Sequence, residues 1–182
     1  SRHAALGDTD ALRGALAKGL RLGFLLTVPS SLGLAFLAEP IISLIYERGR
    51  FDAASTLQTA EALRFYSLGL AAYSGIKVLA PAFYAVGRRK TPMLVSFGAI
   101  AVNLLLNWYL TLHLQMGHRG LALSTGCVAI ANFTALYLLM RAHLNGMQSG
   151  RLLGALARIG LAGAVLGAIC WAGSRYLMES WP

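Results

Sequence analysis

The sequence predicts an all-α fold, a polytopic transmembrane helix bundle of about five spans, and two observations carry that expectation. The chain has 182 residues, of which 57% are hydrophobic and only 13% charged, whereas a soluble domain is ~45–50% apolar and ~25% charged. The mean hydropathy is +0.60, and the apolar residues fall into runs approaching the ~20 residues needed to cross ~30 Å of hydrocarbon.

The first span is expected over residues 22–46. Its unbroken apolar part ends at Ala38, and the helix is expected to continue past Glu39 and Pro40 through Ile41-Ile42-Ser43-Leu44-Ile45. Pro29 should kink it, because proline removes one backbone donor and its ring crowds the preceding turn. Residues 47–57 form a polar connection around Gly49. There Ser55 and Gln58 have capping-box spacing, which places the start of the second span near Ser55.

That second span runs to about residue 86, with Glu61 and Arg64 close enough along the helix to pair. Pro81 is a second kink candidate. Gly87-Arg88-Arg89-Lys90-Thr91-Pro92 then breaks the chain, with Pro92 suited to the first turn of a third span over 93–112. A short linker makes the fourth span, 120–140, its antiparallel neighbour. A polar stretch follows, with Asn145-Gly146 as a turn signal, and a fifth span is expected over 152–176.

The net charge of +9 and a pI near 10.2 raise the idea of nucleic acid, but the cations sit in small groups between apolar runs rather than on one solvated face. Their distribution suits membrane orientation. Arg2, Arg13, Lys18, Arg21, Arg88, Arg89, Lys90, Arg141, Arg151 and Arg158 fall on one side, ten in all, and Arg48, Arg50, Arg64, Arg119 and Arg175 on the other, five in all. The positive-inside rule puts Ser1 in the cytoplasm. The first 18 residues are polar to amphipathic and do not read as a secretory signal peptide.

Lys77 stands apart. It lies eleven residues from Arg88, or ~16 Å along a helix, and a cation at such depth costs at least ~2.5–3.5 kcal/mol on insertion scales. It should therefore face a bundle interior or an aqueous cavity. One reading is contact with an anionic substrate or a coupling ion pair. The other is a structural lysine satisfied by carbonyls freed by Pro81.

Asn103 and Asn107, four apart, point the same way and suit either a polar pathway or hydrogen bonds to a neighbouring helix. Ser124, Thr125 and Asn132 admit the same two readings. Gly163 and Gly167, with Gly160 nearby, allow close helix packing or an apolar groove for a lipid chain. Cys127 and Cys170 lie in apolar runs and read as small hydrophobes. His3, His113, His118 and His143 fall in terminal or connecting regions. No catalytic residue, metal site or cofactor is expected, because the phosphate-loop, dinucleotide, zinc and hydrolase motifs are missing from the sequence.

An ordered set of motifs carries a family likeness: Arg48-Gly-Arg-Phe-Asp52, Thr56, Ala62-Leu-Arg-Phe-Tyr-Ser-Leu-Gly-Leu-Ala71, Lys77-Val-Leu-Ala-Pro-Ala-Phe-Tyr-Ala85 and Thr91-Pro92. Together they resemble the signature region of the MurJ/MviN lipid II flippase family, itself similar to the multidrug, oligosaccharidyl-lipid and polysaccharide exporters. The Asn103/Asn107 helix and Gly120-Leu-Ala-Leu-Ser-Thr125 extend the likeness over roughly residues 1–145. One departure is the loop before Pro92, where the family usually carries an acidic residue and this chain has none.

The resemblance implies an inner-membrane flippase that moves an undecaprenyl-pyrophosphate-linked peptidoglycan precursor between leaflets without chemical catalysis. It implies two lobes around a cationic cavity and a C-terminal helix pair with a groove for the lipid tail. On that plan residues 1–21 are a cytoplasmic lead-in, 22–145 supply four helices of the second lobe, and 146–182 supply a loop and the first helix of the pair. The first lobe and the last helix would be absent. The expected partners are the lipid-linked precursor, membrane lipids and the missing lobe, with no nucleic acid. A cation-coupled drug, metabolite or polysaccharide exporter of the same superfamily, and a non-transporting membrane scaffold, are the competing readings.

Overall fold

Leu12, Leu16, Leu20 and Phe24 recur every fourth residue and are all buried, the spacing that lines one face of an α-helix. They form the inner face of α1, Thr9–Phe36, in a computed structural model that describes residues 9–49, 51–144, 146 and 149–180. The expectations placed on Arg2, His3, Arg50 and Asn145, and on the side chains of Arg151, Cys170 and Arg175, lie outside the described residues.

The chain continues as α2, Ala38–Tyr46; α3, Ala53–Ala85; α4, Lys90–Trp108, extended by a π-helical turn at Tyr109–His113; α5, Gly117–His143; and α6, Ser149–Ser180. Among the described residues there is no strand. Four helical segments are long and apolar enough to cross a membrane, Asp10–Phe36, Ala53–Ala85, Lys90–His113 and Gly117–His143. The fifth expected span lies in α6, a 32-residue helix whose apolar stretch, Gly154–Ile169, is shorter.

Several expected boundaries are corrected. The first helix begins at Thr9, well before residue 22, and does not run through to Tyr46. It breaks at Leu37, whose φ of −98° and ψ of 13° leave the helical region. Pro40 explains the position, since it has no N–H to offer the Phe36 carbonyl and its ring crowds that group. Pro29 and Pro81 lie inside continuous helices.

The cap of α3 is Asp52, not Ser55: its side chain accepts a hydrogen bond from the Ser55 N–H at 2.9 Å, so the helix starts at Ala53. Pro92 falls in the first turn of α4, as expected, just after Gly87 turns the chain with φ +76°.

In the main core cluster Leu20 and Phe24 of α1 meet Leu79 and Phe83 of α3 and Leu136 and Met140 of α5, and a smaller cluster joins Ala38 and Ile42 of α2 to Ala60 of α3. Phe24 and Phe133 stack edge to face with centroids 5.5 Å apart. α3 therefore sits at the centre, with α1 and α5 on two sides and α2 against its start. α6 packs on α1, and α4 packs mainly on α5. Ser31 ties α1 to α3 by donating to the Ser67 carbonyl at 2.7 Å.

Candidate functional site

The face of α3 opposite its buried residues carries Tyr66, Tyr73, Lys77 and Tyr84, spaced seven, four and seven residues apart. At 100° per residue these fall on one stripe. Tyr66 is 47% exposed, Tyr73 44% and Tyr84 52%, and Lys77 is exposed with them. The reason is the packing on the other sides. α1 approaches through Gly19 against Val78 and Gly23 against Ser74, and α5 through Gly69 against Gly126 and Gly75 against Phe133.

Lys77 accordingly looks away from these six helices, so of the two surroundings expected for it, a bundle interior or an aqueous cavity, the described residues do not supply the first. No ion pair to Lys77 occurs among the described residues. Tyr66 to Tyr84 spans 18 residues, about 27 Å of helix, close to the ~30 Å hydrocarbon thickness. Tyr73 and Lys77 each lie about 3 Å along the axis from the midpoint of that stretch. Heptad-like tyrosine spacing around Lys77 was present in the sequence but is hard to separate there from the surrounding apolar residues.

Asn103 and Asn107 do not join this stripe. Asn107 Nδ2 donates to Asn103 Oδ1 at 2.9 Å, and Asn107 Oδ1 accepts from the hydroxyl of fully buried Ser124 on α5. The pair thus bonds across the α4–α5 seam, the neighbouring-helix alternative. Thr125 turns back on its own helix, donating to Leu121 O at 2.8 Å, whereas Asn132 Oδ1 is buried with no hydrogen-bond partner.

Gly163 and Gly167 of α6 lie against α1. A Cβ on Gly163 would stand 2.6 Å from Leu32 Cδ1, and one on Gly167 would run into the Phe36 ring, whereas Gly160 faces open space. The first two therefore serve close packing here. Cys127 is an exposed free thiol.

Charged groups cluster where α2 and the starts of α3 and α5 meet. Glu61 and Arg64 do not pair with each other. Glu61 pairs with Arg119 of α5, and Arg64 with Glu39 of α2 at 3.4 Å. A helix places residues three apart within reach, but the partners from other helices lie nearer here. Asp52, in the connection before α3, has its carboxyl held below the usual value of 3.8 by hydrogen bonds from Ser55, through its side chain first and then its backbone N–H. Beside this end a groove of about 480 Å³ runs between Ala35, Phe36, Arg64, Phe65 and Leu68.

At the opposite end of α3 the turn Arg88, Arg89 and Lys90 is exposed. Arg13 there pairs with Asp10 at 2.8 Å and donates to the Leu144 carbonyl, capping α5.

Four helical segments long and apolar enough to span a bilayer define a multi-pass α-helical membrane protein. A family model described as "Lipid II flippase MurJ" matches residues 1–182, and the chain belongs to that family.

A relative named "Lipid II flippase MurJ" from Burkholderia cenocepacia is 40% identical over 134 residues, 74% of this chain and 26% of its own length. Relatives named "Probable lipid II flippase MurJ" are 33% identical over 178 residues in Vibrio cholerae, covering 94% of this chain and 32% of the relative, and 32% identical over 188 residues in Synechocystis, covering 100% and 34%. The chain thus spans about a quarter to a third of the length of these relatives.

Proposed function

We propose that this chain is part of a flippase that moves a polyprenyl-pyrophosphate-linked peptidoglycan precursor across the bacterial inner membrane, and that it is a transporter rather than a catalyst. The observation that carries the reading is Lys77, a cation inside the span-length segment Ala53–Ala85 on a face that the six helices leave uncovered. An ammonium group cannot rest among acyl chains without a cost of several kcal/mol, so this face is lined by further protein or water. A pyrophosphate headgroup crossing the bilayer needs cationic partners of this kind.

The names borne by the relatives favour this substrate over a drug or polysaccharide and over an inert scaffold. On this reading the α3 stripe faces a cavity completed by the part of the full-length protein outside this chain, and transport follows from rocking of the two halves. The turn Arg88–Arg89–Lys90 would be cytoplasmic and the Glu61–Arg119 end extracytoplasmic.

The test is complementation of a flippase-depleted strain by the full-length parent bearing Lys77→Ala or Lys77→Arg. Loss of growth and precursor translocation with Lys77→Ala, and partial retention with Lys77→Arg, is expected. Full activity of both variants, at normal membrane abundance, would remove Lys77 from transport.

A further inference from the structure

The geometry points to the Tyr73 phenol as a second headgroup contact, which donates a hydrogen bond to a phosphate oxygen of a pyrophosphate lipid held by Lys77. This inference rests on the proposed function, because it assigns another residue to the same face.

Tyr73 lies one turn before Lys77 on the exposed stripe of α3, about 6 Å along the axis. Both side chains extend from the same face, within reach of one phosphate group. On the proposed placement Tyr66 and Tyr84 stand toward the two interfaces, where a phenol meets water and headgroups without help. Tyr73 does not, for it stands near the midplane, and a hydroxyl there is costly unless it finds a partner.

Charge complementarity selects the partner. The one acidic residue of α3 is Glu61, and it is paired to Arg119 at the far end. The midplane part of the stripe therefore offers one cation and one hydroxyl donor, with no carboxylate to repel an anion. A phosphate accepts from both. The stem of Lys77 and the ring of Tyr73 would flank it with apolar surface, so the charge-assisted bonds form away from bulk water.

The probe is undecaprenyl pyrophosphate, titrated into the full-length parent in lipid nanodiscs. Tyr73→Phe keeps the ring and removes only the donor, and should weaken binding about ten- to a hundredfold, the range for one hydrogen bond to a charged group. Tyr66→Phe and Tyr84→Phe should stay within about twofold, below what such a bond contributes. Tyr73→Gln returns an N–H donor without the ring and should recover much of the lost affinity.

Two results separate the levels of the argument. If Lys77→Ala abolishes binding while Tyr73→Phe leaves it unchanged, the Tyr73 contact is wrong and the proposed function stands. If neither variant changes binding, both fail. Loss with both Tyr73→Phe and Tyr73→Gln, accompanied by less folded protein, would assign the phenol to packing and overturn the contact.

Discussion

Gly69 of α3 and Gly126 of α5 bring their two backbones into contact, so that a Cβ built on Gly69 would stand 3.0 Å from the Gly126 Cα. Lipid tails offer no hydrophobic drive for helix association, and close backbone approach supplies packing in its place. The central position of α3, and with it the outward aim of Lys77, depends on this contact.

Substituting Gly69 or Gly126 by Val should therefore destabilise the full-length protein by about 1–3 kcal/mol, the usual cost of overpacking. Gly98→Val on α4, where open space surrounds the site, should cost nothing of this kind, since valine is a better helix former than glycine, and acts as the control. Thermal unfolding in detergent reads the difference, and equal effects at all three sites would contradict the packing.

The Glu61–Arg119 pair joins the starts of α3 and α5, with side chains 32% and 48% exposed. Solvent screening limits such a pair to about 0.2–1 kcal/mol. Glu61→Arg or Arg119→Glu alone should lower the melting temperature, and the double exchange should recover most of the loss. A double variant no better than its parents would place these charges out of contact.

Asn107 links Asn103 to Ser124 across the α4–α5 seam. Membrane measurements give such side-chain hydrogen bonds ~0.6 kcal/mol on average and ~1.7 at most. A double-mutant cycle of Asn107→Leu with Ser124→Ala should return a coupling in that range. Additive effects would mean the bond is not made.

Asp52 gives a pH dependence whose sign is fixed. Its carboxyl is held below 3.8 in the folded chain, so the stabilisation it lends to the start of α3 is present above the unfolded value and is lost as pH falls through the folded one. Hydrogen exchange at the Ser55 amide, corrected for intrinsic rates, should show protection vanishing in that acid range in the parent and persisting in Asp52→Asn, which caps without titrating. Identical profiles would contradict the cap.

The helical spans were legible in sequence because hydropathy over a whole span sums many small transfer terms into one strong signal. Caps and pairs were not. Ser55 looked like a cap because its spacing to Gln58 fits, yet Asp52 offers a carboxylate one residue before the helix and outcompetes a hydroxyl. Glu61 and Arg64 are near in sequence, but which partner each takes depends on where α5 and α2 sit, which local spacing does not encode. The break at Leu37 was announced by Pro40 and misread as a continuation because the flanking residues are apolar.

Lys77 was singled out by its depth alone. Its aim away from the six helices could not be read from depth, because it follows from the glycine contacts that turn the other faces of α3 toward α1 and α5. Spacing alone left Asn103 and Asn107 suited either to a pathway or to a neighbouring helix, and only the place of Ser124 on α5, whose hydroxyl donates to Asn107, decides for the second.

Aqueous access to position 77 tests the central claim most directly. With Lys77→Cys as the sole cysteine of the full-length parent in native membranes, a charged, membrane-impermeant thiol reagent should label the site, and Ile100→Cys on the exposed face of α4 should resist it. Lack of labelling at 77, together with quenching of a fluorophore there by lipid-borne spin labels, would place the residue among acyl chains and contradict a headgroup passage along α3.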